Sequence, residues 1–223
     1  MVKEDQYRKL VLERKNCRLC KGLTNPAAFD RGRFDSDHIG PWSLWQHNLD
    51  ADIMIVGQDW GDNKFFKKWS GKDPNDGNPT NENLLKLLES IGVTIGKPRE
   101  KQGQKIFLTN LILCLKKGGL QALVSDDWFN SCTRKFFKPL VEIIRPKAIL
   151  ALGKKPTNFI SDYFGVYYSR SIPLKKLIIQ YSPFKLTNQT LLFPLYHCGA
   201  GGINRNRSFN EQMNDWKIIK RYL

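Results

Sequence analysis

The sequence predicts an α/β fold, a three-layer α/β/α sandwich with a mainly parallel central sheet, formed by one domain over residues 1–223. Two observations predict it. Short apolar runs of strand length, several of them ended by glycine, alternate with stretches in which apolar residues recur at helical spacing. Strands separated by helices are typical of parallel sheets covered on both faces. A length of 223 residues suits one such core, and no repeat or linker divides the chain.

The N-terminal half begins this alternation. Tyr7, Leu10 and Val11 have helical spacing, and the apolar run after residue 51 stops at Gly57, as buried parallel strands often do. The predicted elements are a helix over 2–14, an irregular segment over 21–51, a strand over 52–56, a polar loop over 62–79, a helix from Thr80 or Asn81 to Gly92, and a strand over 106–110.

The C-terminal half continues it. Ser125 and the Ser208/Glu211 pair have the residue types and positions of helix N-caps, the second as a capping box. The predicted elements are a helix from Ser125 to about Ile144 ended by Pro146, a strand over 148–152 closed by Gly153, a short helix over 157–164, strands over 177–180 and 191–196, and a terminal helix after Ser208.

The charge balance indicates a polyanionic partner. The chain has 36 Lys and Arg against 21 Asp and Glu, a formal net charge of +15. Nucleic acid is the commonest counterpart of such a domain, and a merely basic soluble protein is the alternative. No apolar run approaches the roughly 20 residues of a spanning helix, and the N-terminus lacks a signal-peptide core. We therefore expect DNA rather than a membrane as partner, a cytoplasmic location and a monomer.

The cysteines suggest a metal site. Cys17 and Cys20 form a C-x-x-C pair, Cys114 follows the second predicted strand, and Cys132 lies in the next helix. Together they offer four thiolates, which suit either zinc or an iron–sulfur cluster. The alternative is that Cys114 and Cys132 are small buried apolar residues. Cys198 is the odd cysteine and is expected to pack rather than to bind.

Polar residues follow the predicted strands where a parallel sheet binds ligands. Asp59 comes after the first strand, Asn110 ends the second, and His197 follows the last. Taken singly, Asp59 could be a turn or helix-cap residue and His197 a core histidine. At three strand ends of one sheet they indicate a functional site.

The order of these features along the chain resembles the iron–sulfur branch of the uracil-DNA glycosylases over about residues 17–207. The features are the C-x-x-C pair, the glycine-ended strand, the Asn and Cys at the second strand, the Cys of the next helix and the late strand before His197. The stretch Thr109–Cys114 is similar to the strand whose Asn reads the base and whose Cys binds the cluster, and the stretch Phe193–His197 resembles the strand before the last motif. Gly57-Gln58-Asp59 looks like the water-activating motif of the cluster-free branch. The resemblance implies a fold of the uracil-DNA glycosylase type and a [4Fe–4S] cluster on the four cysteines, with zinc as the alternative.

The resemblance also implies roles for the site residues. Asp59 would stabilise the sugar cation and orient water, and His197 would stabilise the departing base. Asn110 would read the uracil edge, and the Gln58 backbone would hold its second carbonyl. A basic face would offset the cost of flipping the nucleotide out of the duplex.

The sequence departs from the family pattern around the base. Trp60-Gly61 replaces a Pro-Tyr pair, Thr80 replaces a stacking Phe, and His197-Cys198-Gly199 replaces His-Pro-Ser. Phe65 or Phe66 could supply the missing stack or simply anchor the loop. These departures predict a roomier pocket, so the substrate is uracil or a bulky modified pyrimidine of the kind found in phage DNA, the latter implying a role in defence.

A glycine-rich loop after His197 and a lysine pair after Cys114 are the expected contacts to DNA. Ile203 is expected as a wedge in the minor groove and the arginines on the phosphates, and the full set of expected DNA-binding residues is Ile203, Asn204, Arg205, Arg207, Lys116 and Lys117. An ordinary turn is the alternative for the loop. A catalytically silent iron–sulfur DNA-binding module, or a nucleotide-binding or redox protein, remain alternatives for the chain, although no phosphate-binding glycine motif supports a nucleotide site.

Overall fold

The computed structural model describes residues 2–39, 43–46, 48–100, 103, 106–119, 122–199 and 207–223. Its strands are β1 (Ile53–Gly57), β2 (Ile106–Asn110), β3 (Ala148–Leu152), β4 (Phe184–Lys185) and β5 (Leu191–Leu195). Its α-helices are α1 (Lys3–Asn16), α2 (Asn63–Lys68), α3 (Pro79–Ser90), α4 (Asp126–Cys132), α5 (Lys138–Ile144), α6 (Lys154–Tyr163), α7 (Leu174–Lys176) and α8 (Phe209–Lys217).

Shorter helical segments complete the described structure. A π-helical segment, Thr133–Phe137, joins α4 to α5, and another, Leu177–Tyr181, continues α7. The 3₁₀ turns are Phe29–Gly32, Leu44–Gln46 and Ile219–Tyr222.

The five strands form one sheet in the order β2-β1-β3-β5-β4. The pairs β2–β1, β1–β3 and β3–β5 are parallel, and the short β4 pairs antiparallel with β5. All residues of β1, β2 and β3 are buried, which explains why these strands are continuous apolar runs rather than alternating ones. The predicted sandwich with a mainly parallel sheet is confirmed.

Helices cover both faces of the sheet. Met54 and Val56 of β1 belong to a core shared with α1, α4, α5 and α6, whereas Ile53 and Ile55 face α3 and α8. Trp216 of α8 is completely buried in the second core. The two cores leave the carboxyl ends of the parallel strands open at one edge, where the polar residues lie.

Most predicted elements are present, and the differences have physical causes. The capping box is confirmed: at the start of α8 the Ser208 hydroxyl accepts the Glu211 N–H, and the Glu211 carboxylate accepts the Ser208 N–H. The polar loop over 62–79 contains α2, which begins where the Asp62 carboxylate accepts the N–H of Phe65. The helix expected from Thr80 or Asn81 begins at Pro79, because Asn78 is its cap.

The strand predicted over residues 177–180 is wrong, because this segment is helical. Its apolar run has the length of a strand, but Leu174, Leu177 and Ile178 are the buried residues, at helical spacing. None of the described helices is both long and apolar enough to cross a bilayer.

Candidate active site

The loops that follow β1 and β2 run side by side beyond the sheet. The N–H groups of Leu111 and Ile112 donate to the carbonyls of Gly57 and Gln58 at 3.0 Å each, and the N–H of Lys116 donates to the carbonyl of Gly61 at 3.2 Å. These backbone bonds continue the pairing of the two strands. They fix the segment that carries Asp59 against the segment that carries Lys116.

Asp59 lies in a nearly closed environment with several donors. Its carboxylate accepts the Gln58 side-chain amide at 2.7 Å, the Gly61 N–H at 2.8 Å and the Lys116 Nζ at 3.2 Å. The Asp59 and Lys116 side chains are 7% and 4% exposed. Removing one partner of such a pair leaves a buried charge uncompensated, which costs about 3–5 kcal/mol. The geometry therefore gives a rigid anion at the end of β1.

Asn110 lies beside Gly57, its register partner across β1 and β2. A Cβ atom on residue 57 would lie only 2.1 Å from the Asn110 Oδ1, so only glycine leaves room for this amide. Asn110 is buried, and its side-chain amide makes no hydrogen bond within the part of the chain that the structure describes. Close packing against Gly57 thus positions the amide.

His197 lies two residues beyond β5, and the backbone fixes its tautomer. The Gly199 N–H donates to the ring Nδ1 at 3.0 Å, so a neutral ring carries its proton on Nε2. His197 as a whole is exposed at the end of the sheet. The surrounding protein nevertheless removes part of the water around the ring, and this desolvation lowers the pKa of His197 below its ordinary value, whereas the negative charge of Asp59 raises it. Neutral His197 therefore presents an N–H donor at neutral pH.

The start of α3 holds the His197 loop in place. The Asn83 side-chain amide donates to the carbonyl of Cys198 at 2.8 Å, and the Cys198 thiol donates to the carbonyl of Thr80 at 3.4 Å. A Cβ on Gly199 would lie 2.9 Å from ring atoms of His197 and 3.0 Å from the Thr80 hydroxyl. Cys198 is fully buried here, and burial raises the pKa of its thiol to about 12. It packs, as expected from the sequence, and Thr80 lies beside the histidine loop.

The remaining residues expected at the base have different surroundings. Trp60 is partly buried and packs on the core between the sheet and the α3/α8 layer. Phe66 is 2% exposed and makes edge-to-face contacts with Phe29 and Phe34 at ring-centroid distances of 5.6 and 6.2 Å. This enclosure favours the loop-anchor interpretation of Phe66 over stacking on a base.

The expected DNA contacts divide into three groups. Ile203, Asn204 and Arg205 lie outside the described residues. Lys117 is exposed, in keeping with a phosphate contact. Lys116 is instead buried against Asp59, so the sequence interpretation assigned it to the wrong surface.

Arg207 is likewise occupied within the fold. Its guanidinium makes a two-point contact with Asp215, at 2.6 and 2.7 Å, and a further bond to Glu211 at 3.0 Å. These carboxylates raise its pKa, and the side chain is 8% exposed. The geometry favours an anchor of α8 over the phosphate contact that its charge suggested.

Cys17, Cys20, Cys114 and Cys132 line one cavity of about 80 Å³. It lies between the end of α1, the segment after β2 and α4. The Cys20 and Cys132 thiols are close enough to hydrogen bond, and all the cysteines are free. The side chains of Arg14 and Arg18 also line the cavity and would offset the charge of thiolates. Cys198 is not among the lining residues, in agreement with its packing role.

The four cysteines offer a thiolate donor set that suits either zinc or an iron–sulfur cluster. In the described part of the chain, no group of three or more His, Cys, Asp or Glu side chains is arranged to hold one metal ion. Zinc requires its thiolates within about 2.3 Å of one centre. An iron–sulfur cluster is likewise held by four cysteine thiolates, so the lining of this cavity fits either group.

Comparison with known proteins identifies the family. Residues 44–220 match the model of the uracil DNA glycosylase superfamily. The chain is also similar to a type-4 uracil-DNA glycosylase from Sulfurisphaera tokodaii, with 26% identity over 190 residues that cover 79% of this chain and 76% of that protein. The residues matched to the family model include Asp59, Asn110 and His197. The chain therefore belongs to the uracil DNA glycosylase superfamily and is a DNA glycosylase, a hydrolase of N-glycosidic bonds.

Proposed function

We propose that this chain removes uracil from DNA by hydrolysing its N-glycosidic bond, after flipping the nucleotide out of the helix, and leaves an abasic site. The observation that carries the proposal is the convergence of an anion, an amide and a neutral imidazole at the ends of β1, β2 and β5. β1, β2 and β5 are parallel and end on the same side of the sheet, and the negative charge of Asp59 acts on the pKa of His197. The type-4 relative is named for uracil, which supports uracil as the substrate.

Asp59 acts on the sugar side of the bond. As the bond breaks, the deoxyribose becomes cationic, and an anion fixed nearby stabilises it without having to reorganise. Both oxygens of the Asp59 carboxylate accept hydrogen bonds, Oδ1 from Gly61 and Oδ2 from Gln58 and Lys116, and these bonds keep the carboxylate from rotating. The same carboxylate orients the attacking water and accepts its proton.

His197 acts on the base side of the bond. The departing uracil carries negative charge on its carbonyl oxygens, and the Nε2–H of a neutral imidazole donates to one of them. A lowered pKa keeps the ring neutral at neutral pH, and the Gly199 N–H fixes the proton on the required nitrogen. One preorganised donor of this kind is typically worth about 2.7–4 kcal/mol in the transition state.

Asn110 selects the base. Its carbonyl accepts the N3–H of uracil, and its amide donates to O4, a pairing that cytosine reverses. In this proposal the backbone N–H of Gln58 donates to the remaining carbonyl. Trp60 and Thr80 border the site, and a Thr in place of a stacking aromatic leaves room beside the base, which is why substituted pyrimidines belong in the test.

The cysteine cavity holds a [4Fe–4S] cluster in this proposal. Cys17 and Cys20 come from the N-terminal arm and Cys114 and Cys132 from the sheet and its next helix, so the cluster fastens the arm to the core. When bound it supplies structural cross-linking. The chain's own contribution is the four-thiolate set with Arg14 and Arg18 beside it.

DNA binding uses the basic surface around the site. A net charge of +15 favours the phosphate backbone, and exposed Lys117 follows Lys116 directly in the loop after β2. This attraction offsets the few kcal/mol needed to flip a nucleotide.

A panel of oligonucleotides tests the proposal. Duplex and single-stranded substrates carrying uracil, thymine, 5-hydroxymethylcytosine or its glucosylated form are incubated with the protein and scored for abasic sites. We expect cleavage of the uracil strands. Product from the modified bases alone would replace uracil by a bulky pyrimidine, and binding without any abasic product would indicate a silent DNA-binding module.

A further inference from the structure

Lys116 places a primary amine inside the candidate active site. Its Nζ lies 3.2 Å from the Asp59 Oδ2, and both side chains are almost excluded from solvent. The backbone holds it there: the N–H of Lys116 donates to Gly61, and its carbonyl accepts the Asn63 N–H at 3.4 Å. The amine is therefore fixed within one hydrogen bond of the carboxylate assigned to the sugar.

We infer that this chain is bifunctional, with Lys116 acting as the nucleophile of an abasic-site lyase. The inference rests on the proposed function, because it requires that Asp59 faces C1′ of the flipped nucleotide. A group 3.2 Å from that carboxylate then lies close to C1′, which becomes an aldehyde carbon when the abasic sugar opens. Buried lysine amines next to carbonyl carbons form Schiff bases.

The lyase reaction needs only the groups already named. The Lys116 amine passes a proton to the Asp59 carboxylate and attacks C1′, forming a C–N bond. The Asp59 carboxylic acid returns that proton to the C1′ oxygen, which becomes a hydroxyl group. A second proton passes from the attached nitrogen to this hydroxyl, which leaves as water as the C1′–O bond breaks and gives an iminium ion. Loss of a proton from C2′ then expels the 3′ phosphate by breaking the C3′–O bond. Water hydrolyses the imine, which frees the lysine and leaves an unsaturated aldehyde on the cleaved strand.

A purely electrostatic role for Lys116 predicts a different behaviour. In that case Lys116 would only hold Asp59, and any cation of suitable length would replace it. Arginine keeps the charge and the pairing but cannot form a Schiff base at its guanidinium. Lys116→Arg therefore separates the nucleophile from the ion-pair partner, and it avoids the unpaired buried carboxylate that Lys116→Met would leave.

The experiment uses the full chain and a DNA duplex with one preformed abasic site, so that it does not depend on base excision. Sodium borohydride reduces a Schiff base to a stable amine, and the covalent protein–DNA product is counted on a denaturing gel. We expect trapping by the wild type and at least a tenfold smaller trapped fraction with Lys116→Arg. Lys9→Met removes an exposed lysine of α1 and should trap like the wild type.

Two further readouts decide the outcome. Peptide mapping of the trapped product should place the DNA on Lys116. An abasic duplex that binds to the wild type in a gel-shift assay but is never trapped would overturn the inference, as would equal trapping by Lys116→Arg. Excision of uracil without trapping leaves the proposed function intact and defeats only the lyase. Trapping without excision of any base would defeat the proposed function and keep the lyase.

Discussion

The substitution Gly57→Ala should damage base recognition through a single contact. The new Cβ would lie 2.1 Å from the Asn110 Oδ1, whereas ordinary contacts begin at 3.4 Å. The amide must therefore move by about 1 Å or more. A misplacement of about 1 Å in an active site can cost about 100-fold in rate. We expect a loss of this size in single-turnover excision, with a loss of stability of about 1–3 kcal/mol from overpacking.

A double-mutant cycle tests whether the effect passes through Asn110. Asn110→Ala removes the atom with which the new methyl group collides, so Gly57→Ala in that background should cost neither further activity nor stability. Excision is measured by quenched-flow release of the base, and stability by thermal unfolding. Wild-type excision by Gly57→Ala, or additive losses in the double variant, would refute this explanation of the glycine.

The remaining predictions concern the cluster, the histidine and the DNA surface. Purified protein should be brown with about four iron atoms per chain; Cys132→Ser should lose iron and Cys198→Ser should keep it, while colourless protein with one zinc would contradict the cluster. Because the Asp59 charge raises the pKa of His197, Asp59→Asn should lower that pKa in an NMR titration. An unchanged pKa would mean that Asp59 exerts no electrostatic effect on His197. Wild-type excision should decline as the pH falls through the lowered pKa of His197. Protonation places a hydrogen on Nδ1, which can then no longer accept the Gly199 N–H that orients the ring. Lys117→Ala should reduce the slope of log affinity against log salt by about one, and an unchanged slope would mean that this lysine meets no phosphate.

The sequence could predict the sheet because burial on both faces leaves a direct signal. The apolar runs of β1, β2 and β3 have no polar face, and Gly57 and Gly153 end two of them. The run at 177–180 is also largely apolar, but only Leu177 and Ile178 of it are buried. Its helical spacing becomes visible only when Leu174 is counted with it, a residue that lies before the run.

The site was predictable to the extent that it follows from the sheet. Asp59, Asn110 and His197 end three parallel strands, and such ends meet at one edge. Lys116 could not be placed in this way, because its position depends on how the loops after β1 and β2 pair with each other. Charge alone assigned Arg207 to the phosphates, whereas its partner Asp215, two helical turns away on α8, holds it in the fold.

Uracil release by the wild type and by Asp59→Asn, with DNA affinity measured on the same uracil-containing duplex, tests whether Asp59 drives the chemical step. The protein should release uracil in single turnovers and leave an abasic site. Asp59→Asn should slow this step by at least 100-fold, because a fixed anion facing the sugar cation is lost, while its affinity for DNA stays equal or rises. Equal rates for the two proteins, or no uracil released by a wild type that binds the duplex, would contradict the mechanism.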